Sequence, residues 1–484
     1  TQLNYSKNIR SDMSEYREEV LNKLKVGSLT NLNESLNYSF GPQWVSWFKP
    51  NFSYNTNYTW NKPLNSVIDA ANLNLVKNTA INLSISPTEI IETFYTPLSK
   101  RQSKPSSRTR SRGLSSFNSE EDKDKETQKD SPEKKNSSEI NSLFLERIYN
   151  ESKKIEPLTL TITNNTNRLS NGIDGDVPLG YRLGLKDNHG LSSVSEVGLN
   201  TGNEDIKKSF TARSGIRFNP QTSLSISFNE SISSNINGYS IDIRSISRDY
   251  ISFGNNLSKG FPFLNWSFRI GGLEKISFIK PYVSSVSLEH AFSGKQNLSW
   301  KFNEDGITPI NLFGISSFED DFNDSLQLSR VTRSFSPLIG ISTSFKNGVS
   351  TNIRSNITHT LDEVATGLTY ISDNSILATI TYNFSKGIRF ELPFTDRNIN
   401  LRNNMNISLN FDFSNKKEEG SKDKINFVEQ NFSNTRKSIL RITYTLTDDV
   451  TGSLFYEYRE NDTRLTGRRI DRDFGINLNV AIRG

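Results

Sequence analysis

The feature that most constrains the fold of this chain is an alternation of apolar and polar residues that recurs along most of its length. Near the end of the chain, Phe474, Ile476, Leu478, Val480 and Ile482 are separated only by small or polar residues. Successive side chains of a β-strand point to opposite faces, so such a row predicts one apolar and one polar face. Equivalent rows are Phe52-Tyr54-Thr56-Tyr58-Trp60, Leu224-Ile226-Phe228, Trp266-Phe268-Ile270, Val286-Leu288-His290-Phe292, Leu298-Trp300-Phe302, Ala378-Ile380-Tyr382-Phe384, Met405-Ile407-Leu409-Phe411-Phe413 and Leu440-Ile442-Tyr444-Leu446.

The length of these rows favours a membrane barrel over a soluble sandwich. Strands of soluble proteins usually have about 5–6 residues, whereas transmembrane strands need about 9–11. Several rows here reach the longer range, and the residues between them are mostly Asn, Ser and Thr, which suit a water-filled lumen. The chain is 33% hydrophobic yet 11% aromatic, whereas disordered chains are poor in aromatic residues. We therefore predict an all-β fold, an antiparallel transmembrane β-barrel of roughly 14–18 strands.

Two other architectures remain open at this point. A self-closed porin or receptor barrel would pair the row that begins at Phe474 with a strand near the N-terminus of the chain. A soluble β-rich surface adhesin would pack its apolar rows against each other across a sandwich. The pairing of the last strand separates the first alternative from a barrel that other strands complete. Purification without detergent would separate the second alternative from both barrels.

Breaks in the alternation divide the chain into three segments. We predict barrel strands with short helical insertions over residues 1–98, a disordered charged loop over 99–138, and barrel strands with long loops over 139–484. Helix-like spacing of apolar residues occurs at 14–24, 87–98 and 139–149. Residues 171–205 are rich in Gly, Asn and Asp and predict a long loop. Lys346-Asn347-Gly348 predicts a tight hairpin.

The residues that carry enzyme chemistry are missing or isolated in the sequence. The chain has no cysteine and three histidines, His189, His290 and His359, without the paired spacing of a metal site. It has no nucleophile motif and no phosphate-binding glycine loop. Its net charge of +5 comes from basic and acidic residues that are interspersed, so a nucleic-acid partner is not expected. We predict that the protein is not an enzyme and has no catalytic, metal or cofactor residues.

The alternation also predicts which side chains meet the bilayer. Tryptophans near strand ends are candidates for the aromatic girdles at the membrane interfaces. The girdle candidates are Trp44, Trp47, Trp60 and Trp300. The candidates for lipid contact are Phe52, Tyr54, Tyr58, Trp266, Phe268, Ile407, Leu409, Phe411, Ile476, Leu478 and Val480.

Several segments resemble the SprA/Sov family, the outer-membrane translocon of the type IX secretion system. The most specific is 263–276 (FLNWSFRIGGLEKI), which is followed by 283–292 (VSSVSLEHAF). Residues 335–340 (FSPLIG), 345–348, 352–354 and 54–60 are similar to the same family. Together these segments span most of the chain, in the order expected of the family's C-terminal barrel region.

The resemblance implies a function that the alternation alone does not. Members of this family, found in Bacteroidetes and linked to gliding motility, form one very large barrel that folded secreted proteins cross. The implied partners are a PorV-like outer-membrane protein at a lateral opening, a periplasmic plug protein, secreted cargo proteins, and outer-membrane lipid with lipopolysaccharide. The implied location is the bacterial outer membrane.

The chain is much shorter than members of this family. The resemblance therefore implies a C-terminal fragment or a cleaved piece, completed by an N-terminal portion or by other chains. The sequence begins at Thr1 without a secretory signal, and we expect that a preceding portion is absent. It ends at Ile482-Arg-Gly484, without the terminal aromatic residue that is common in outer-membrane barrels.

Overall fold

The computed structural model describes most of the chain. The described residues are 1–12, 28–62, 70–97, 137–191, 202–237, 241–253, 257, 259–302, 326–384, 388–391, 398–401, 403–447 and 449–481. The helix-like segment at 14–24 lies outside them, and so does almost all of the charged loop at 99–138. Ser137 and Ser138, assigned to that loop, instead begin a helix.

Twenty strands account for most of the described residues, because the alternating rows form extended backbone. Many strands are longer than the rows that predicted them; β17, for example, has 17 residues. The strands are β1 (Gln2–Asp12), β2 (Ser28–Phe40), β3 (Phe48–Asn61), β4 (Ala71–Ile85), β5 (Leu158–Ile173), β6 (Gly202–Asn219), β7 (Thr222–Asn237), β8 (Ile241–Ser252), β9 (Gly260–Pro262), β10 (Asn265–Gly271), β11 (Val283–Phe302), β12 (Leu326–Phe345), β13 (Val349–Val364), β14 (Gly367–Phe384), β15 (Ile388–Glu391), β16 (Asn398–Leu401), β17 (Met405–Ser421), β18 (Val428–Thr447), β19 (Val450–Thr463) and β20 (Gly467–Val480).

One 18-stranded antiparallel sheet contains every strand except β15 and β16, which pair with each other. The all-β, antiparallel fold class is therefore confirmed. Most neighbours in the sheet are also neighbours in sequence, joined by short turns. The predicted hairpin at Lys346-Asn347-Gly348 is confirmed, since these residues join β12 to β13. Gly348 has a φ of 90° there, a conformation that glycine adopts without steric cost.

Two strands share a single position in this sheet. One edge of β7 pairs with β8 over Glu230–Asn237 and with β10 over Ser223–Ser227. The facing edge of β11 is divided between the same two strands. β8 and β10 therefore lie end to end, and the chain leaves the sheet between them to form a short hairpin of β8 with β9. Because β9 lies outside the main row, the eighteen strands fill sixteen positions.

The two ends of the sheet remain unpaired within the described residues. β1 pairs only with β2, and β20 pairs only with β19. Both end strands are exposed along most of their length. The first-to-last pairing expected of a self-closed barrel is thus absent from the described strands.

Three α-helices and a short 3-10 helix accompany the sheet in the described residues. Two of the α-helices lie in segments with predicted helical spacing. The serine at position 86 caps the first, since its hydroxyl accepts a hydrogen bond from the backbone of Glu89, and Pro87 occupies the first turn. In the predicted loop at 171–205, β5 extends to Ile173 and β6 begins at Gly202. The helices are α1 (Pro87–Phe94), α2 (Ser137–Ser152), α3 (Leu179–Arg182) and η1 (Leu273–Lys275).

Candidate functional site

The register of the strands places all the predicted apolar rows on one face of the sheet. Ile407 pairs with Tyr382 of β14 and with Ile442 of β18, and each of these pairs onward in the same manner. Paired residues in neighbouring strands lie on the same face. We call the face that carries Ile407 and Leu409 the apolar face, and the face that carries Asn406 and Asn410 the polar face. All eleven predicted lipid-contact residues lie on the apolar face.

The apolar face is apolar over only part of its height. On β17 the apolar residues end at Phe413, and Asn415, Lys417 and Glu419 follow on the same face. Most strand positions show a change from apolar to polar or charged residues at a matching level, so the apolar residues form a band, which we call the apolar belt. Representative members are Phe52, Ile81, Ile162, Ile226, Phe268, Leu288, Ile341, Ile353, Ile380, Leu409, Ile442, Leu454 and Ile476.

Beyond the belt the same face carries charged and polar side chains, and we call this part the charged zone. Many of its charges are paired with each other, as Lys7 is with Glu34 at 3.3 Å. Arg468 lies 2.8 Å from Glu460 in the same way. Charged residues of this zone are Lys7, Glu34, Lys77, Lys208, Glu230, Arg248, Arg333, Lys417, Arg436, Glu460 and Arg472.

The polar face is laced by short side-chain hydrogen bonds between neighbouring strands. The hydroxyls of Ser233 and Ser245 lie 2.7 Å apart, and those of Ser334 and Thr358 lie 2.8 Å apart. Ion pairs add to this lattice, including Arg330 with Asp362 at 2.6 Å. Cross-strand pairs of this kind satisfy polar groups without apolar contact.

The polar face is also the concave one. A cavity of about 910 Å³ is lined by residues from β6 to β14 that lie mostly on this face. Arg217 and Ser223 form one side of this cavity, and Thr379 and Thr381 form the other. Strands that are far apart in the order of the sheet line this one cavity. The sheet must therefore curve toward its polar face.

A segment between β5 and β6, residues 174–191, folds over the charged zone, and we call it the lid. Tyr181 is buried in the lid and meets Tyr58 edge to face, with ring centroids 6.4 Å apart. The Tyr54 hydroxyl donates a hydrogen bond to the carbonyl of Leu183 at 2.8 Å. The buried cluster under the lid consists of Leu32, Tyr58, Leu73, Leu75, Ile173 and Tyr181, with Trp60, Val177 and Leu191 packed against it.

Two titratable groups in the lid have shifted pKa values. Burial lowers the pKa of His189, whose Nδ1 accepts a hydrogen bond from the backbone N–H of Leu191 at 3.1 Å. Burial opposes ionisation of Asp187, but its hydrogen bonds with Lys77 and Arg168 outweigh this and hold the pKa below its ordinary value. Those bonds are 3.0 and 2.9 Å long. Ion pairs with Lys77 and Arg168, as well as apolar packing, therefore hold the lid against β4 and β5.

The hairpin of β8 with β9 covers a second part of the charged zone. A β-carbon at Gly294 would collide with the carbonyl oxygen of Tyr250, so only glycine fits at that point of β11. Tyr250 and Leu257 are buried in a cluster with Val331 and Leu361. The Asp249 carboxylate fixes the root of the hairpin, because it accepts hydrogen bonds from the backbone and side chain of Asn229.

Two of the predicted surface residues are buried in the structure, which are corrections, and a third is partly covered. Tyr58 lies on the apolar face but is 0% exposed, because the lid covers it. Trp300 is only 5% exposed and lies in the charged zone. Trp60 packs against the buried cluster under the lid, about 20 Å along β3 from Tyr54. Alternation identified the face of these residues but could not show that the lid folds onto Tyr58 and Trp60 or that Trp300 is buried.

The remaining candidates have accessible positions. Phe52, Trp266, Phe268, Ile407, Leu409 and Phe411 are half-buried among belt neighbours, whereas Ile476, Leu478 and Val480 are exposed on the end strand β20. Tyr54 is also half-buried, and its hydroxyl contacts the lid. Trp44 is exposed in the turn between β2 and β3, at the belt end of the sheet, and Trp47 is half-buried beside it. Their contact with lipid remains a prediction.

The alternating rows did not reveal an aromatic cluster that lies at the boundary between the belt and the charged zone. Trp266 stacks on Phe292 with ring centroids 4.2 Å apart, and Phe292 lies 5.3 Å from Phe335. His290 joins them, and its Nδ1 lies 2.7 Å from the carbonyl oxygen of Leu338. Trp266, His290 and Phe292 stood in alternating rows, but Phe335 did not, and only the register between strands brings these residues together.

No helix in the described part of the chain is long and apolar enough to cross a membrane. No three His, Asp or Glu side chains there are grouped in a way that could hold a metal ion.

No protein-family model and no curated protein matches this sequence. Among solved structures, the chain is similar to BauA, the ferric preacinetobactin receptor from Acinetobacter baumannii. The TM-score is 0.28 and the identity 7%, over 93% of this chain and 71% of that chain. A likeness at this level assigns no function or ligand to the chain.

Proposed function

We propose that this chain forms part of the wall of a large outer-membrane barrel that conducts folded secreted proteins, as the resemblance to the type IX translocon family implies. The observation that supports this most is the combination of a two-faced sheet with two unpaired ends. The apolar belt suits lipid, and the polar face suits a water-filled passage. Other strands, from another chain or another portion of the same protein, then complete the wall.

The unpaired ends argue for completion because they are costly in a bilayer. Backbone N–H and C=O groups without partners in hydrocarbon cost several kcal/mol each, so membrane sheets close or pair their edges. β1 and β20 leave a row of such groups within the described strands. Both strands carry belt residues, including Tyr5 and Ile476. Strands from outside the described sheet would satisfy these groups.

The polar face supports a role in passing large, folded cargo. Its Ser, Thr and Asn side chains and its paired charges leave few apolar atoms for a passing protein to bury. Because apolar burial is the main source of non-specific adhesion, cargo would slide along such a wall without being held. This proposal includes three kinds of partner, which are a PorV-like protein, a periplasmic plug and the cargo itself.

A self-closed porin or receptor barrel is the second candidate, favoured by one specific observation. The sheet has an even number of positions, and β1 and β20 run in opposite directions, so direct pairing between them would be antiparallel. A soluble adhesin is disfavoured, because the belt residues do not pack against a second sheet in the described structure.

The absence of cysteine permits a direct test of closure. Tyr5→Cys combined in turn with Ile476→Cys and Leu478→Cys would be expressed in the native bacterium, and short bifunctional thiol reagents applied to intact cells. The matched control is Tyr456→Cys with Phe474→Cys, which pair directly between β19 and β20. We expect the control to cross-link and the β1–β20 pairs not to. Efficient cross-linking of β1 to β20 within one chain would overturn the larger barrel and favour the self-closed one.

A further inference from the structure

The hairpin of β8 with β9 presents three aromatic rings to the outside of the sheet. Ile251 pairs with Phe261 and Tyr250 with Pro262, so the hairpin has two faces. The face with Tyr250 packs onto the sheet, as the burial of Tyr250 shows. The opposite face carries Phe253, Phe261 and Phe263, which are 54%, 48% and 39% exposed.

These rings form a row rather than three isolated side chains. The centroids of Phe253 and Phe261 are 5.7 Å apart, and those of Phe261 and Phe263 are 5.6 Å apart. The row ends three residues before Trp266, which belongs to the aromatic cluster at the boundary between the belt and the charged zone. A contiguous exposed apolar patch of this kind usually marks an interaction surface.

The level of the hairpin is fixed by the strands from which it emerges. Its root lies between Arg248, in the charged zone, and Trp266, in the belt, and the backbone N–H of Phe263 donates to the carbonyl of Asp249 at 3.2 Å. The inner side of the hairpin packs on Val331 and Leu361. These two residues lie two positions farther from the belt than Arg333 and His359, with which the charged zone begins on their strands. Two residues of a strand span about 7 Å, so the hairpin lies across the strands close to the belt boundary.

We propose that Phe253, Phe261 and Phe263 insert into the interfacial region of the lipid bilayer and anchor the wall at the boundary between belt and charged zone. Aromatic side chains concentrate at this depth in membrane barrels. The outward direction of the rings, their level and their continuity with Trp266 and Phe292 all fit a lipid occupant. A protein partner at this site would instead have to bridge from the belt to the charged zone.

This proposal depends on the proposed function only in requiring that the apolar belt lies in a bilayer. The test uses single-cysteine variants of the full-length protein in its native assembly, spin-labelled and reconstituted into phosphatidylethanolamine/phosphatidylglycerol vesicles. Phe261→Cys and Phe253→Cys report on the hairpin. Phe268→Cys reports on the belt, and Thr466→Cys, in the turn between β19 and β20, reports on the charged end. Collision rates with oxygen, which partitions into lipid, and with a water-soluble nickel chelate are compared at each site.

We expect the ratio of oxygen to nickel collisions at positions 253 and 261 to lie between the high ratio at 268 and the low ratio at 466. A ratio equal to that at 466 would place the rings in water and overturn the anchor. Protection from both reagents would place them under protein and overturn it equally. A low ratio at 268 would refute the membrane wall itself, so the two failures are distinguishable.

Discussion

Single residues in β17 show how strongly one step along a strand changes the surroundings of a side chain. Leu409 pairs with Ile380 and Leu440 in the belt, whereas Asn410, its neighbour, pairs with Thr379 and Ile439 on the polar face. The Thr379 hydroxyl donates to the Asn410 amide oxygen at 2.9 Å. The two positions share secondary structure, level and distance from the strand ends. They therefore form a matched pair for substitution.

Leu409→Arg is expected to destabilise the assembled protein, because it places a charge on the bilayer side of the wall. The cost at the midplane of a membrane is about 2–4 kcal/mol for Arg. Asn410→Arg adds the same side chain to the hydrated face and should change stability by much less. The measurement is the denaturant concentration at which each variant unfolds from vesicles. Equal destabilisation by the two substitutions would argue against the assignment of the faces.

Gly294 offers a second test at the scale of one residue. A β-carbon there would collide with the carbonyl of Tyr250, whereas at Gly452 the nearest heavy atom is 3.6 Å away. Gly294→Ala should therefore displace the hairpin from β11, at a cost of about 1–3 kcal/mol, and Gly452→Ala should be tolerated. Limited proteolysis within 249–264 would reveal the displacement. A hairpin that resists protease equally in both variants would contradict the contact.

At the scale of elements, sequence reasoning succeeded where a pattern is local and failed where a segment folds back. The rows that became β17 and β20, the hairpin at Gly348 and helix α1 all follow from residues close in the chain. The lid over Tyr58 and the hairpin over Gly294 form tertiary contacts between residues that are distant in the chain. No periodicity in the sequence predicts such contacts. Trp60 and Trp300 were assigned to the membrane interface, although Trp60 packs against the cluster under the lid and Trp300 is buried in the charged zone.

The lid should loosen in mild acid. The pKa of His189 is lowered in the folded state from an ordinary value of 6.5, so the unfolded lid binds more protons below that pH. The stability that neutral His189 contributes is complete above pH 6.5 and falls as the pH drops toward the folded-state pKa. Amide protection factors in residues 181–191 should fall between pH 7 and 5.5, by at most about tenfold per pH unit.

Two variants separate this effect from others in the lid. His189→Ala should remove the dependence on pH in that window. Asp187→Asn should leave it in place, because the pKa of Asp187 is lowered from 3.8 and its contribution is lost only in stronger acid. Protection factors in wild-type protein that stay constant between pH 7 and 5.5 would contradict the role of His189.

At the scale of the whole molecule, the arrangement of faces is consistent across sixteen positions in the sheet. The fold class could be predicted from the sequence because most of the long strands repeat the same alternation. The common level of the belt could not be read in this way, since it depends on register between strands. The unpaired ends could not be predicted from the sequence either, because the residues of a single strand do not show which strand pairs with it.

The most direct test of the account is a thiol-accessibility measurement on neighbouring residues in three strands across the sheet. Single cysteines would replace Phe52 and Ser53 in β3, Leu409 and Asn410 in β17, and Ile476 and Asn477 in β20, with the protein in native membranes. A charged, water-soluble maleimide is predicted to react at positions 53, 410 and 477 and to spare 52, 409 and 476. Reaction at 52, 409 and 476 with protection of their neighbours, or equal reaction within each pair, would contradict a wall with one face toward lipid.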